Sequence, residues 1–164
     1  MKTKIGIVGQ GFVGTAIREG LGHIFNVQTY DKFKDDASTC ADLQELSKKV
    51  EVLFVCLPTP MNQDGSCNLS IIESVISELD SYGNNNIAII KSTIPPGTTK
   101  MLNSRCKNLK IVFSPEFLTE ANFIDDFKNQ NRIIIGGPRP ASTKVKNLFT
   151  KAFPEVKIIK TGSN

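Results

Sequence analysis

The sequence predicts a doubly wound α/β fold, a mostly parallel sheet with helices on both faces, and three observations predict it. Short apolar runs alternate with helical stripes from one end of the chain to the other. The first run ends in Gly9-Gln-Gly-Phe-Val-Gly14, a glycine series that opens directly into a helical stripe. Helix-length segments separate successive runs, so each crossover must return the chain to the same end of the sheet, which makes neighbouring strands parallel. With 164 residues, no internal repeat and no linker, one domain is expected over residues 1–164.

The elements follow in order. Lys4-Ile-Gly-Ile-Val8 is a buried-type strand that closes on glycine. Val13, Ile17, Leu21 and Ile24 recur at three and four residues and draw one helical stripe. Asn26-Val-Gln-Thr-Tyr30 alternates as a strand and closes on Asp31, and a further short strand is expected near Ser38-Thr-Cys40. Asp42 is placed to cap a helix carrying Leu43 and Leu46. Val52-Leu-Phe-Val-Cys-Leu57 is a second buried-type strand, stopped by Pro58-Thr-Pro60. Leu69, Ile72, Val75, Ile76 and Leu79 form a helix face that ends at Gly83 and three asparagines. Ile87-Ala-Ile-Ile90 is a strand that runs into Lys91-Ser-Thr-Ile-Pro-Pro-Gly97, followed by a helix over Thr98 to Cys106. Strand Lys110-Ile-Val-Phe113 leads into a loop and short helix from Phe117 to Phe127. Strand Ile133-Ile-Ile135 ends at Gly136-Gly-Pro138, and a helix with Val145, Leu148 and Phe149 precedes a last strand, Val156-Lys-Ile-Ile159.

Composition narrows the function classes. The chain is 40% hydrophobic and 22% charged with 12 Gly and 8 Pro, which excludes a disordered tail, a collagen-like repeat and a disulfide miniprotein. No apolar run approaches the roughly 18 residues of a membrane helix. The start turns glycine-rich before a signal-peptide core could build, so a cytoplasmic protein without a membrane partner is expected. The net charge of +4, from 20 Lys and Arg against 16 Asp and Glu, is too mild to argue for nucleic acid. The basic excess from Arg139 onward, with Lys144, Lys146, Lys151, Lys157 and Lys160 against Glu155, reads as a solvated face. Cys40, Cys56, Cys67 and Cys106 show no metal spacing, and Cys56 sits in an apolar run where a thiol behaves as a small hydrophobe.

In doubly wound sheets, ligands bind beyond the carboxyl ends of the strands, so the residues after each strand are the candidates. After the first strand, Gly9 permits the turn, Gly11 lets a pyrophosphate approach the backbone and Gly14 lets helix pack on strand. The amino end of the following helix offers N–H groups and a positive dipole to phosphates. Asp31 stands 22 residues after Gly9, where its carboxylate accepts from both hydroxyls of an adenosine ribose and repels a 2′-phosphate. NAD is therefore the expected cofactor, with Gly9, Gln10, Gly11, Phe12, Val13, Gly14, Asp31 and Lys32 as its candidate contacts; Lys32 and Lys34 leave NADP open. Pro58, Thr59 and Pro60 are expected to run past the nicotinamide end, or simply to form a rigid strand exit. Ser92 and Thr93 are placed to bond to nicotinamide or an ordered water, or else to backbone in the turn, with Thr98 as a helix cap. Glu116 and Glu120 stand four apart and would face one way on a helix, although Glu120 reads equally as a first-turn acid beside cap Thr119.

On these residues the sequence resembles the amino-terminal domain of the UDP-glucose/GDP-mannose dehydrogenase family. The resemblance rests on Gly9 to Gly14 with Asp31, Leu57-Pro-Thr-Pro60, Ser92-Thr-Ile-Pro-Pro-Gly-Thr-Thr99 and Ser114-Pro-Glu-Phe-Leu-Thr-Glu120, and extends to Asn131-Arg-Ile-Ile-Ile-Gly136. The last two stretches look closer to the UDP-glucose branch than to the GDP-mannose or N-acetylmannosamine branches. The resemblance implies a Rossmann-like domain in an enzyme that oxidises a sugar C6 alcohol to a carboxylate with two NAD⁺ in turn. In that chemistry a cysteine captures the aldehyde as a thiohemiacetal, which is oxidised to a thioester and hydrolysed. It implies that Thr93 and Glu116 lie at the reacting C6, with Glu116 handling a proton or orienting the hydrolytic water. Glu120 is implied as a cofactor contact near nicotinamide, and Phe117 and Leu118, with Glu116, as contacts to the nucleotide sugar. Asn68 departs from the family's aspartate after the Asp64-Gly65 turn. The family's long central helix, expected just after Lys160-Thr-Gly-Ser-Asn164, and its second domain with the cysteine in a Gly-x-Cys-x-x-Lys-Asp setting have no counterpart in these 164 residues.

Two further function classes are set beside this one. A stand-alone NAD(H) or nucleotide-sugar binding module would share every motif of the first half of the site. A Rossmann dehydrogenase of the 6-phosphogluconate type would share the glycine series but leaves Ser114-Pro-Glu-Phe-Leu-Thr-Glu120 without a role. A homodimer, or a second domain, is the expected partner.

Overall fold

Four consecutive strands carry apolar residues at almost every position because both of their faces are covered. The computed structural model describes residues 2–162, and places β1 at Lys4–Val8, β2 at Asn26–Tyr30, β3 at Val52–Val55, β4 at Ile87–Ile90, β5 at Lys110–Phe113, β6 at Arg132–Gly136 and β7 at Lys157–Thr161. Every residue of β3 and β4 is buried, as a doubly covered parallel strand requires. The helices are α1 (Phe12–Leu21), α2 (Leu43–Lys49), α3 (Ser70–Ser81), α4 (Thr98–Arg105), α5 (Phe123–Lys128) and α6 (Ala141–Ala152). Alternation along each strand divides the core in two. Phe54, Ile89 and Val112 face α1, α5 and α6, whose Ile17, Phe127 and Phe149 complete that layer. Leu53, Val55, Ile90 and Ile111 face α2, α3 and α4 with Leu46, Ile76 and Leu102.

The strand order is β2-β1-β3-β4-β5-β6-β7. β1 thus has β2 on one side and β3 on the other, both parallel to it, and the crossovers leave it in opposite directions. This reversal opens a crevice at the carboxyl ends of β1 and β3, which is where the glycine series stands.

Several local expectations are corrected. No strand forms near Ser38-Thr-Cys40. Asp35–Ala37 makes a 3₁₀ turn, and the N–H groups of Thr39 and Cys40 both donate to the carbonyl of Thr29, a shared acceptor that cannot extend a ladder. The first helix ends at Leu21 with Gly22 as its cap, so Ile24 lies beyond it. Leu69 precedes α3, and only Ile72, Ile76 and Leu79 of its face are fully buried. Thr98 is the first residue of α4 rather than its cap, a place taken by Gly97 at φ +86°. Asp42 caps α2 as expected, its side chain accepting from the N–H of Glu45 at 2.7 Å.

The antiparallel pairing of β5 with β6 has a length-based cause. α5 has six residues and so spans about 9 Å, too short to carry the chain back to the amino end of the sheet. The next strand therefore starts near the carboxyl end and runs the other way, with Gly136 of β6 opposite Phe113 of β5. α6, with 12 residues, then makes a full crossover and β7 is parallel to β6.

α5 lies directly on α1 because Gly20 has no side chain: a Cβ there would fall 2.3 Å from the Phe127 ring. Phe127 is fully buried and has no room to move. Gly20→Ala should therefore destabilise the chain by about 1–3 kcal/mol in urea unfolding, although alanine favours helix, and a further Phe127→Leu change should recover part of the loss.

Candidate nucleotide-binding site

The three glycines between β1 and α1 answer three different demands. Gly9 has φ +92°, and a Cβ on it would lie 2.3 Å from the backbone oxygen of Cys56. A Cβ on Gly14 would lie 1.9 Å from the backbone oxygen of Gly9. Both are required by the polypeptide itself. Gly11, the residue before α1, has an ordinary φ of −79° and open space on its Cβ side, with nothing within 4 Å. No protein contact calls for glycine there, and the open face stands at a helix amino end, where N–H groups and the helix dipole favour phosphates. The residues present thus fit the phosphates of a dinucleotide.

Asp31, at the end of β2, is tied to this loop. Its Oδ2 accepts from the Gln10 N–H at 2.6 Å and its Oδ1 from the Phe33 N–H at 2.9 Å. Each oxygen keeps acceptor capacity for a ribose hydroxyl. Lys34 donates from Nζ to the Gln10 carbonyl at 2.8 Å, so a cation is fixed at the same edge. Lys32 is exposed and sits over the ring of Phe33, which is itself 87% exposed. Gln10 is buried, with its Nε2 donating to Gly9 and its Oε1 unpaired. Phe12 projects outward and meets Phe123 edge to face at 5.3 Å, while Val13 packs on the core face.

The loops after β3 and β4 are stitched together. The Ser92 hydroxyl donates to the Leu57 carbonyl at 2.6 Å and accepts from the Leu57 N–H at 3.1 Å. Its capacity is largely used, so it clamps two loops together, across strands rather than within its own turn. Thr59 donates to the Thr93 carbonyl at 2.8 Å, which fixes the Pro58-Thr-Pro60 exit against the same loop. Thr93 is exposed at the carboxyl end of β4. A groove of about 350 Å³ runs between Pro95, Pro96 and Gly97 on one side and Ile134 and Thr161 on the other. A larger hollow, about 530 Å³, lies between Lys2, Arg18 and Asn26 at the opposite end of the sheet, away from all of these residues.

Glu116 and Glu120 part company. The segment after β5 is irregular up to a turn at Glu120, and α5 begins only at Phe123, so the two carboxylates share no helix face and Thr119 caps nothing. Thr119 instead gives both its N–H and its hydroxyl to Asp126, at 2.8 and 2.6 Å. Phe117 is exposed with the Arg132 guanidinium 4.9 Å from its ring centre, and Leu118 turns back onto the core. The Glu116 carboxylate turns inward to an ion pair with Lys91, Nζ to Oε2 2.9 Å. Sequence reasoning missed Lys91, although a charge directly after four buried apolar residues at the ligand end of a strand is the signal that marks it.

Cys56 lies beside this pair at the end of β3, and burial pushes its thiol well above the ordinary cysteine range. Burial also raises Cys106. Neither has the surroundings of an activated nucleophile.

Residues 30–153 match the model of the UDP-glucose/GDP-mannose dehydrogenase family, NAD binding domain. The UDP-glucose 6-dehydrogenase of Streptococcus pneumoniae is 28% identical over 160 residues, covering 81% of this chain and 41% of that protein. The UDP-N-acetyl-D-mannosamine dehydrogenase of Methanococcus maripaludis is 29% identical over 129 residues, covering 75% of this chain and 30% of that protein. The solved UDP-glucose dehydrogenase of Pyrobaculum islandicum superposes with a TM-score of 0.87 at 19% identity, over 99% of this chain and 47% of that one. The chain thus spans less than half the length of these relatives. With the glycine series standing just before the matched span and the whole fold shared, the chain belongs to the UDP-glucose/GDP-mannose dehydrogenase family, as an NAD-binding domain.

Proposed function

We propose that this chain is the cofactor half of a nucleotide-sugar 6-dehydrogenase acting on UDP-glucose in the cytoplasm. The observation that carries the cofactor half is the open face of Gly11 beside a carboxylate anchored to the same loop. The preference for UDP-glucose is supported by Glu116-Phe-Leu-Thr-Glu120 and Asn131-Arg-Ile-Ile-Ile-Gly136, the two stretches that look closest to that branch.

In this proposal the α1 amino end and the Gly9–Gly14 backbone bind the phosphates and Asp31 accepts from the adenosine ribose. Bound NAD⁺ supplies a hydride acceptor. Pro58, Thr59 and Pro60, held by the Thr59–Thr93 bond, form a rigid wall where the nicotinamide lies. Ser92 fixes the spacing of that wall. Thr93 presents a hydroxyl toward the reacting alcohol, and Glu116 takes up or returns a proton at the same carbon. Glu120 contacts the cofactor near nicotinamide, and Phe117 and Leu118 contact the sugar nucleotide. The nucleophilic cysteine and most sugar contacts come from a second domain or a partner chain.

A stand-alone binding module is favoured by one observation: among the described residues, Cys56 faces the site with a thiol held protonated. Turnover decides between the two. UDP-glucuronate formed from UDP-glucose and NAD⁺ by the purified chain would remove the binding-module reading and also the claim that the nucleophile lies elsewhere.

Three outcomes are expected. Gly11→Val should abolish NAD⁺ binding in calorimetry while changing stability by no more than about 1 kcal/mol, because its new side chain enters space that only a ligand needs. Asp31→Ala should weaken NAD⁺ about 10- to 100-fold, the loss of charge-assisted bonds to ribose. The Cys56 thiol stays protonated in the folded chain above the unfolded value of 9.0, so its stability contribution is complete below pH 9 and falls as the pH rises beyond it. Urea midpoints should therefore drop above pH 9 less steeply in Cys56→Ala than in the parent.

A further inference from the structure

Lys91, Cys56 and Ser114 each stand one residue past a strand, on β4, β3 and β5. The registers Val55↔Ile90 and Ile90↔Phe113 put them side by side. They continue the face of Phe54, Ile89 and Val112, so an ammonium lies at the end of an apolar layer. The Lys91 side chain is 2% exposed and that of Glu116 6%. Besides the 2.9 Å contact to Glu116 Oε2, Lys91 Nζ donates to Ser114 Oγ at 3.3 Å and lies 5.6 Å from the Phe149 ring centre on α6.

A buried ion pair is a poor way to gain stability, because desolvation offsets most of the attraction and apolar side chains of the same volume do as well or better. The pair is explained by what it does to Glu116. That residue sits in irregular backbone, so no helix or ladder orients its side chain. Its other oxygen receives only a long contact, 3.4 Å from the Phe117 N–H. Oε2 has no aligned hydrogen bond and keeps acceptor capacity.

We infer that Lys91 is the positioning residue of this site, its buried ammonium holding the Glu116 carboxylate in place at the carboxyl end of the sheet. This rests on the reading that Glu116 serves the reacting carbon. The groups that face the pair from neighbouring elements are the Cys56 thiol at the end of β3, the Ser114 hydroxyl after β5 and the apolar Phe149 of α6. None of them replaces the cation.

The test follows the ¹³C resonance of the Glu116 carboxyl at neutral pH, assigned with Glu116→Gln, in the full chain whose NAD⁺ affinity is measured in parallel. The parent and Lys91→Arg should show the Glu116 carboxyl at the same position, and Lys91→Met a displaced and broadened resonance as the carboxylate loses its fixed partner, with NAD⁺ affinity within about twofold of the parent because Asp31 and Gly11 are untouched. An unchanged Glu116 resonance in Lys91→Met, or no rescue by arginine, overturns the inference. If Lys91→Met does not fold, Lys91→Met with Glu116→Gln decides. Folding of the double variant supports the pairing, since it removes the orphaned carboxylate, and its failure to fold overturns it in favour of a purely structural lysine. A parent that does not bind NAD⁺ sinks the proposed function instead, whatever the resonance does.

Discussion

A Cβ on Gly14 would sit 1.9 Å from the Gly9 oxygen, and one on Gly9 would sit 2.3 Å from the Cys56 oxygen. These two backbone approaches weld the turn after β1 to the end of β3 on one side and to the first turn of α1 on the other. Every other part of the site takes its position from that weld. Asp31 reaches the loop through the Gln10 N–H, and Gly9 itself donates to the Tyr30 carbonyl at 2.9 Å. The β2 exit is therefore tied to the same backbone. Close packing of main chain against main chain leaves no slack, so the open face of Gly11 has a defined shape before any ligand arrives.

From there the site is extended by bonds between loops rather than within them. Ser92 spans from β4 to Leu57 and Thr59 spans back to Thr93, so the two exits behave as one wall. Lys91 carries the linkage to Glu116 beyond β5. Each strand end contributes one residue to a continuous line because the strands are in register, and parallel pairing makes that register the same all along β1, β3, β4 and β5. The antiparallel junction at β6 ends this line. It comes from the shortness of α5, and it puts β6 and β7 outside the run of strand ends that builds the site.

The strands and long helices were legible because their periodicity is strong and both faces of the sheet are covered. The glycine series, Asp31 and the Asp42 cap were legible because one local constraint specifies each. What escaped was set by geometry between distant segments. Ser92 reads from sequence either as a ligand group or as a bond within its own turn, and the backbone it bonds is that of Leu57, 35 residues away. Glu116 and Glu120 would share a face only on a helix, and the backbone between them is instead irregular, with Thr119 bonded twice to Asp126. Lys91 reads from sequence as part of a turn, since the groups around its ammonium, Glu116, Ser114 and the Phe149 ring of α6, come from distant segments.

By itself the sequence determined the fold class, the order of elements, the dinucleotide fingerprint and the resemblance to one enzyme family, all properties written in spacing and residue type. The tertiary structure decided which hydroxyls are free, which carboxylate is buried, where the sheet reverses direction and that a lysine stands behind Glu116. The physical reason is that hydrogen-bond saturation and burial belong to pairs of segments brought together by packing, and the residues of either segment alone do not encode them.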